Sequence, residues 1–230
     1  MAGIGDQVVH RAEALLRQFV QDNPSLACYI DNSLPIPKVF AGDGKIKLIV
    51  LGQDPTVKKP ESRKTITTVL NLNKGGSLRR YLEDVCHKLG IELDLNVYAT
   101  NLLKNFFVAP PTQISSIDIF KVFGDVWLPF LKEELSVFPG VPVLTLGEPL
   151  LSALVSKGVG AQVRYYWGYR RDWQTNPPVD FRCVAPAENR LARQLFPFPH
   201  QPSLGKKFYA ENLRSYIEYM GQELEANERN

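Results

Sequence analysis

The sequence IKLIVLG at residues 46–52 decides the fold class. It is a nearly continuous apolar run that ends in glycine, a pattern typical of a strand buried on both faces of a parallel sheet. VPVLTLG at residues 141–147 has the same pattern. Two shorter runs, LNVYATN at residues 95–101 and FRCVAP at residues 181–186, are bounded by turn residues. The sequence therefore predicts four strands.

Helical patterns lie between and around these strands. The clearest covers residues 77–89, where apolar side chains recur at helical spacing from Ser77, which can cap the helix, to a stop at Gly90. Other helices are predicted at about residues 6–21, at 117–135, from 148 onward and at about 208–220. Strands that alternate with helices predict an α/β fold with three layers, α/β/α, around a central, mainly parallel four-stranded sheet.

Length and composition indicate one domain with a substantial core. The chain has 230 residues, of which 44% are hydrophobic. We expect a single domain over residues 1–230, with its core at about 45–222 and a frayed tail at 223–230. The sequence has no apolar stretch near the roughly 18 residues of a membrane span, and its start reads as an amphipathic helix rather than a signal peptide. These features predict a cytoplasmic protein, or a nuclear one in a eukaryote.

The cysteines and histidines give no metal-binding pattern. Three cysteines lie far apart without a CxxC pair, at Cys28, Cys86 and Cys183. The three histidines are scattered among different predicted elements. We therefore expect no disulfide framework, no metal and no cofactor.

Basic residues are clustered although the net charge is only +3. The clusters are Lys58, Lys59, Arg63 and Lys64; Arg164, Arg170 and Arg171; and Lys206 and Lys207. The second cluster belongs to the aromatic stretch RYYWGYRR at residues 164–171, which suits DNA, an exposed hairpin or a protein partner equally well. Each cluster by itself is more often a solvated face than a phosphate-binding site.

Polar residues follow the predicted strands at the ends where α/β sheets bind ligands. GQDPT at residues 52–56 places Asp54 just beyond the first strand, where a carboxylate could orient a water molecule or face a developing positive charge. The alternative is an Asx turn in which Asp54 only caps the loop. Asn101 ends another strand, and its amide donor and acceptor suit the edge of a pyrimidine, although it could equally be a turn residue.

A rigid loop is predicted before the last helix. Pro199 and Pro202 flank His200, which could donate a hydrogen bond to a departing anion. Ser203 and the lysines that follow could hold phosphate groups. The alternative is a proline-rich connector with one exposed histidine.

The order and spacing of these motifs resemble the uracil-DNA glycosylase superfamily. GQDPT resembles the GQDPY motif that follows the first core strand of that family, and Asn101 resembles its uracil-reading asparagine. VLTLG at residues 143–147 resembles a VxLLG strand. HQPS at residues 200–203, with one additional residue, resembles the HPS loop before the C-terminal helix.

The resemblance implies a base-excision repair glycosylase that hydrolyses the N-glycosidic bond of uracil, or of another damaged or deaminated base, flipped out of DNA. On this mapping Asp54 positions the water and stabilises the sugar cation, and His200 forms a hydrogen bond to the departing base. No lysine lies within a core motif where it would form a Schiff base, which indicates a monofunctional enzyme.

The resemblance also assigns binding roles. Gln53 and Asn101 would contact the base, and Leu70 would pack on it where the family has a phenylalanine. Thr56 replaces the motif's tyrosine and would leave room at the 5-position of the pyrimidine. The residues implied to bind DNA are Gln201, Ser203, Lys206 and Lys207.

Two other functions fit the same residues. One is a catalytically weak relative that binds nucleic acid or free nucleobases through this pocket, which Thr56, Leu70 and the inserted Gln201 favour. The other is a nucleoside or nucleotide hydrolase, which needs no basic surface beside its pocket. For the leading hypothesis the partner is DNA with a damaged or deaminated base and not a membrane. A monomer is expected, although no sequence pattern specifies oligomeric state.

Overall fold

The computed structural model describes residues 4–176, 180–200, 203 and 205–228. In this part of the chain, five strands form one mixed sheet, in the order β1-β3-β2-β4-β5. They are β1 (Phe40–Ala41), β2 (Leu48–Gly52), β3 (Val97–Asn101), β4 (Val143–Leu146) and β5 (Leu195–Phe198). β2 to β5 are parallel, and β1 pairs with β3 in the antiparallel sense. The predicted α/β class is confirmed.

Helices cover both faces of the sheet. The α-helices are α1 (Ile4–Asp22), α2 (Pro60–Arg63), α3 (Ser77–Lys88), α4 (Leu93–Asn96), α5 (Ile119–Val122), α6 (Gly124–Leu135), α7 (Glu148–Leu154), α8 (Val163–Tyr166) and α9 (Lys207–Glu228). Short 3₁₀ helices occur at Pro24–Tyr29, Val69–Asn71, Pro111–Gln113 and Pro186–Glu188. None of the helices in the described ranges is both apolar enough and long enough to cross a bilayer.

The predicted count of four strands is wrong, and so is the placement of one of them. Residues 181–186 run beside β5 but pair with it only at Val184 and Leu195. The strand itself lies later, at LFPF, where Pro197 obscures the pattern because a proline cannot donate a ladder hydrogen bond. β5 tolerates this proline because it is an edge strand of the sheet. The two-residue strand β1 is too short to have a periodic signal.

The helix boundaries also differ in detail from the prediction. α3 begins at Ser77, but the capping position is Gly76, and Gly90 has a left-handed φ of 69° just beyond the helix. The predicted helix over residues 117–135 is divided into α5 and α6 at Phe123. α9 continues to Glu228, where a frayed tail was expected from residue 223.

The contacts of the strand side chains define the two faces. Tyr98 of β3 donates a hydrogen bond of 2.8 Å to Glu134 of α6, which assigns this side chain to the α6 face. Side chains alternate along a strand, so Asn101 and its register partner Gly52 belong to the opposite face. Phe198 of β5 also lies on that face, where it contacts Tyr216 of α9.

Candidate active site

The carboxyl ends of the parallel strands align along one rim of the sheet. Gly52 pairs with Asn101, and Leu146 pairs with Phe198. Backbone hydrogen bonds continue the alignment past the strands, since Leu103 N donates to Gln53 O at 2.8 Å and Gly147 N donates to Phe198 O at 2.8 Å. The segments that contain Asp54, Asn101 and His200 therefore leave the sheet at the same rim.

Asn101 forms the floor of this site together with Gly52 and Leu70. The Asn101 side chain is buried at 1% exposure, and its Oδ1 has no hydrogen-bond partner among the described residues. A Cβ added at Gly52 would overlap this oxygen and would lie 2.8 Å from Leu70 Cδ2. Only glycine fits at this position, and its small size lets Leu70 and the Asn101 amide meet. A buried acceptor without a donor is costly, so this amide is a candidate contact for a ligand.

The backbone at Leu70 is strained. Leu70 has φ 54° and ψ 12°, and Asn71 has φ 55°. Bulky residues rarely adopt this left-handed conformation, and such strain concentrates at functional sites. The side-chain Oδ1 of Asn71 is also buried without a partner among the described residues. The conformations of these two adjacent residues therefore lower the stability of the fold at the place where the chain passes over Gly52.

Asp54 lies just beyond β2 with its carboxyl group partly buried. Its Oδ1 accepts a hydrogen bond of 2.7 Å from Thr56 N, so the alternative Asx turn is formed. Burial raises the pKa of Asp54 to about 6, although hydrogen bonds from Thr56 and the charge of Arg63 act in the opposite direction. Above pH 6 the group is therefore a poorly solvated carboxylate, suited to orient water or to face a cation.

Thr56 and Arg63 fix the loop that contains Asp54. Thr56 Oγ1 accepts a hydrogen bond of 2.9 Å from Phe107 N, beyond the end of β3. Arg63 is only 4% exposed, and its guanidinium donates to the carbonyl oxygens of Val57 (2.8 Å), Phe107 (3.1 Å) and Val108 (3.1 Å). Arg63 is thus a buried clamp rather than part of the predicted surface cluster. Thr56 is a structural link of the loop, and its contact with a base stays a prediction.

Gly147 brings Gln53 and His200 together. It has φ 99°, and a Cβ at this position would lie 2.9 Å from Gln53 Nε2 and 3.8 Å from His200 Cβ. His200 is exposed, and desolvation lowers the pKa of its imidazole below the ordinary 6.5. The ring is therefore neutral near pH 7 and retains one N–H as a hydrogen-bond donor.

The end of β5, which leads to His200, is anchored by a buried tryptophan. Trp167 is fully buried, donates from Nε1 to Pro197 O at 2.7 Å and stacks on Tyr216 at 4.3 Å. Ser203 N donates a hydrogen bond of 2.7 Å to His200 O. Gln201, predicted to contact DNA, lies outside the described residues.

The two lysines predicted to hold DNA lie at the start of α9. Both are exposed, and Lys207 Nζ is 5.9 Å from the centre of the Trp173 ring and 3.8 Å from a carboxylate oxygen of Glu211. Ser203 O accepts a hydrogen bond of 3.1 Å from Lys206 N. These residues are therefore connected through a short backbone path to His200.

Lys104 is close to Asn101 in sequence but faces away from the site. Its ammonium group donates to Thr100 Oγ1 at 2.6 Å and to the Glu134 carboxylate beneath the sheet. Burial lowers the pKa of Lys104, while Glu134 raises it. The amine is enclosed on the α6 face, away from the rim. The expectation that the enzyme is monofunctional, with no lysine forming a Schiff base, stays a prediction.

Two surface cavities of about 550 Å³ lie away from the rim. One is lined by Phe181, Arg182 and Tyr219, and the other lies near Leu191 and Arg193. Neither contains a predicted site residue. Among the described residues, no group of three or more histidine, cysteine or acidic side chains could hold a metal ion.

Sequence reasoning missed several residues of the rim. The sequence predicts Gly147 only as the end of a strand, whereas its φ of 99° and its lack of a side chain let Gln53 and His200 approach each other. Arg63 was read as a surface cation, and nothing in its local sequence indicates burial. The strain at Asn71 has no sequence signal, because asparagine and leucine are common in ordinary turns and helices.

Comparisons of the sequence with family models and with curated proteins give no match. The resemblance to the uracil-DNA glycosylase superfamily therefore rests on the motifs and on their order along the chain.

Proposed function

We propose that this protein is a DNA glycosylase of base-excision repair. It hydrolyses the N-glycosidic bond of uracil, or of another damaged or deaminated base, after that nucleotide is flipped out of DNA. The observation that carries the proposal is the buried amide oxygen of Asn101, which has no hydrogen-bond partner in the part of the chain that the structure describes. It lies against Gly52 and Leu70 at the rim that also holds Asp54 and His200.

The Asn101 amide suits a pyrimidine edge. The ring N–H of uracil lies between two carbonyl oxygens, so it can donate to Asn101 Oδ1 while a neighbouring carbonyl accepts from the amide nitrogen. Leu70 supplies an apolar surface beside this amide, on which a base can pack. The pair therefore selects a planar ring with a donor next to an acceptor.

Asp54 and His200 have the protonation states that bond cleavage needs at neutral pH. When the glycosidic bond stretches, the sugar becomes cation-like and the base departs as an anion. The ionised Asp54 carboxylate orients the attacking water and stabilises the cation. The neutral His200 ring donates a hydrogen bond from its N–H to the leaving base.

Excision assays test the proposal. End-labelled oligonucleotides that contain uracil, 5-hydroxymethyluracil, hypoxanthine or a thymine mismatch are incubated with the protein, and alkali then breaks the strand at abasic sites. We expect cleavage of at least one of them, and a loss of about a hundredfold or more in Asp54→Asn. Asp43→Asn is the matched control, because Asp43 is exposed and lies before β2. Equal cleavage by Asp54→Asn and the wild-type protein would contradict the mechanism.

A second candidate is a nucleic-acid or nucleobase binding protein without turnover. The Asx turn favours it, because one oxygen of Asp54 is already bonded to Thr56 N. Binding of these oligonucleotides without cleavage of any of them would support this alternative. Release of base from free nucleosides would support a nucleoside hydrolase instead.

A further inference from the structure

Cations are held over aromatic rings on one side of the candidate site. The Arg164 guanidinium lies 5.0 Å from the centre of the Tyr169 ring, and Lys207 Nζ lies 5.9 Å from that of Trp173. Phe208 packs under both rings, with centroid distances of 5.1 Å to Tyr169 and 5.3 Å to Trp173. One apolar side chain, Phe208, thus supports two aromatic–cation pairs. We call Arg164, Tyr169, Trp173, Lys206 and Lys207 the aromatic–basic strip.

The strip is continuous with the candidate active site. Tyr209 contacts Trp167 in the core, and its pKa is raised mainly by burial, with smaller effects from the charges of Glu148, which raises it, and Arg164, which lowers it. Glu148 directly follows Gly147 at the rim. At the other end, backbone hydrogen bonds connect Lys206 N to Ser203 O and Ser203 N to His200 O. The strip therefore extends outward from the place where a flipped base would lie.

Basic side chains outnumber acidic ones along this surface. Arg164, Arg170, Arg171, Lys206 and Lys207 are all exposed. Two acidic neighbours lie in loose surface pairs, with Asp172 at 3.7 Å from Arg170 and Glu211 at 3.8 Å from Lys207, and the exposed Glu148 is a third acidic residue near this surface. Exposed ion pairs of this kind are weak, so a phosphate can replace the carboxylate. Holding the cations over rings also reduces the entropy that they lose on binding.

We propose that the aromatic–basic strip binds an unpaired DNA strand that flanks the flipped nucleotide. This inference rests on the proposed function for the identity of the nucleic acid. Partly exposed aromatic side chains beside a few cations suit single strands, in which bases can stack on protein rings and the backbone follows the positive charge. A duplex keeps its bases stacked inside and offers the rings no partner. The strip therefore selects single-stranded over double-stranded substrates.

Trp173 provides a direct signal of binding. The protein has three tryptophans, of which Trp127 and Trp167 are buried, whereas Trp173 is partly exposed. A base that stacks at the strip quenches the fluorescence of Trp173 and leaves the other two unchanged. Trp173→Phe should therefore remove the quenching while the protein stays folded.

The test measures binding of a short fluorescein-labelled oligothymidylate that contains no modified base, across a range of salt concentrations. Tryptophan quenching is measured with the unlabelled strand. Each phosphate neutralised on a single strand contributes about 0.7 to the slope of log affinity against log salt. Arg164→Ala combined with Lys207→Ala should reduce that slope by about 1.4. Arg17→Ala and Lys132→Ala are matched controls on α1 and α6, which cover the other face, and should leave it unchanged.

The outcomes separate this inference from the proposed function. Three results would overturn the inference even if the protein excises uracil. The double variant could keep the salt slope of the wild-type protein, or the control variants could lower that slope by the same amount. A matching duplex or oligouridylate could also bind as tightly as the DNA single strand. Binding that depends on the strip without excision of any base would keep the inference and overturn the glycosylase. Quenching that persists in Trp173→Phe would also contradict the strip.

Discussion

Replacing Asp54 by asparagine should make the protein more stable at neutral pH while it abolishes excision. Folding raises the pKa of Asp54 from 3.8 to about 6. This shift of about two pKa units corresponds to about 3 kcal/mol, and solvent at the partly exposed carboxyl group reduces the figure to about 2 kcal/mol. Asparagine keeps an oxygen that can accept the hydrogen bond from Thr56 N. It carries no charge that must be desolvated.

The sign follows from proton linkage. Because the folded pKa lies above the unfolded one, the contribution of Asp54 to stability is fully present below pH 3.8 and is lost as the pH rises through about 6. Asp54→Asn should therefore match the wild-type protein well below pH 3.8 and exceed it increasingly up to about pH 7, with a constant difference above that. Other carboxyl groups titrate in both proteins, so their effects cancel in the difference.

Urea denaturation at a series of pH values measures this difference. With a denaturant dependence of about 3 kcal/mol/M, a gain of about 2 kcal/mol raises the urea midpoint by about 0.7 M. Asp43→Asn serves again as the exposed control and should show no such rise. If Asp54→Asn were equally stable at pH 8, or if its advantage did not change with pH, the carboxyl group would not be held in a desolvating environment.

Further predictions concern the groups around the site. Excision should rise about tenfold per pH unit below pH 6 and level off above it, as Asp54 ionises, which a pH profile of kcat/KM will measure. Gly52→Ala would force a methyl group against the buried amide oxygen of Asn101, so it should lower the free energy of unfolding by about 1–3 kcal/mol and remove most of the base binding. Gly75→Ala is the control, because a Cβ there would have nothing within 4 Å, and it should change neither stability nor binding. Arg63→Met leaves three carbonyl groups without their donor, so it should cost about 3 kcal/mol in urea denaturation and raise the pKa of Asp54 further in a carboxyl carbon NMR titration. Trp167→Phe removes one indole N–H donor, and a loss of about 1–3 kcal/mol is expected in thermal unfolding; no loss would contradict the anchoring of the His200 loop.

The sequence predicts the interior of the sheet better than its edges. β2 and β4 are buried on both faces, so their apolar runs reflect a single physical constraint and are visible locally. β5 contains Pro197 and β1 has two residues, so both depend on contacts with distant strands. Edge strands of this kind are defined by tertiary pairing rather than by local pattern.

The same distinction applies to the candidate site. Asp54, Asn101 and His200 could be predicted because each follows a strand, and parallel strands end at a common rim. The burial of Arg63 and the left-handed backbone at Leu70 could not be predicted, because they arise from the packing of segments far apart in the chain. Local sequence indicates which groups reach the rim, while packing sets their charge and strain.

The hydrogen bond from Trp167 to Pro197 has a consequence for association between molecules. The paired amide and carbonyl of Leu195 point toward Val184, outward from the sheet, so the polar groups of Pro197 point outward as well. At that residue, which is buried beside Trp167, the border of the sheet has no N–H to offer, and the carbonyl oxygen already accepts a hydrogen bond from the indole. An incoming strand would find no backbone ladder to extend there, and the border resists edge-to-edge aggregation without a further strand to cover it.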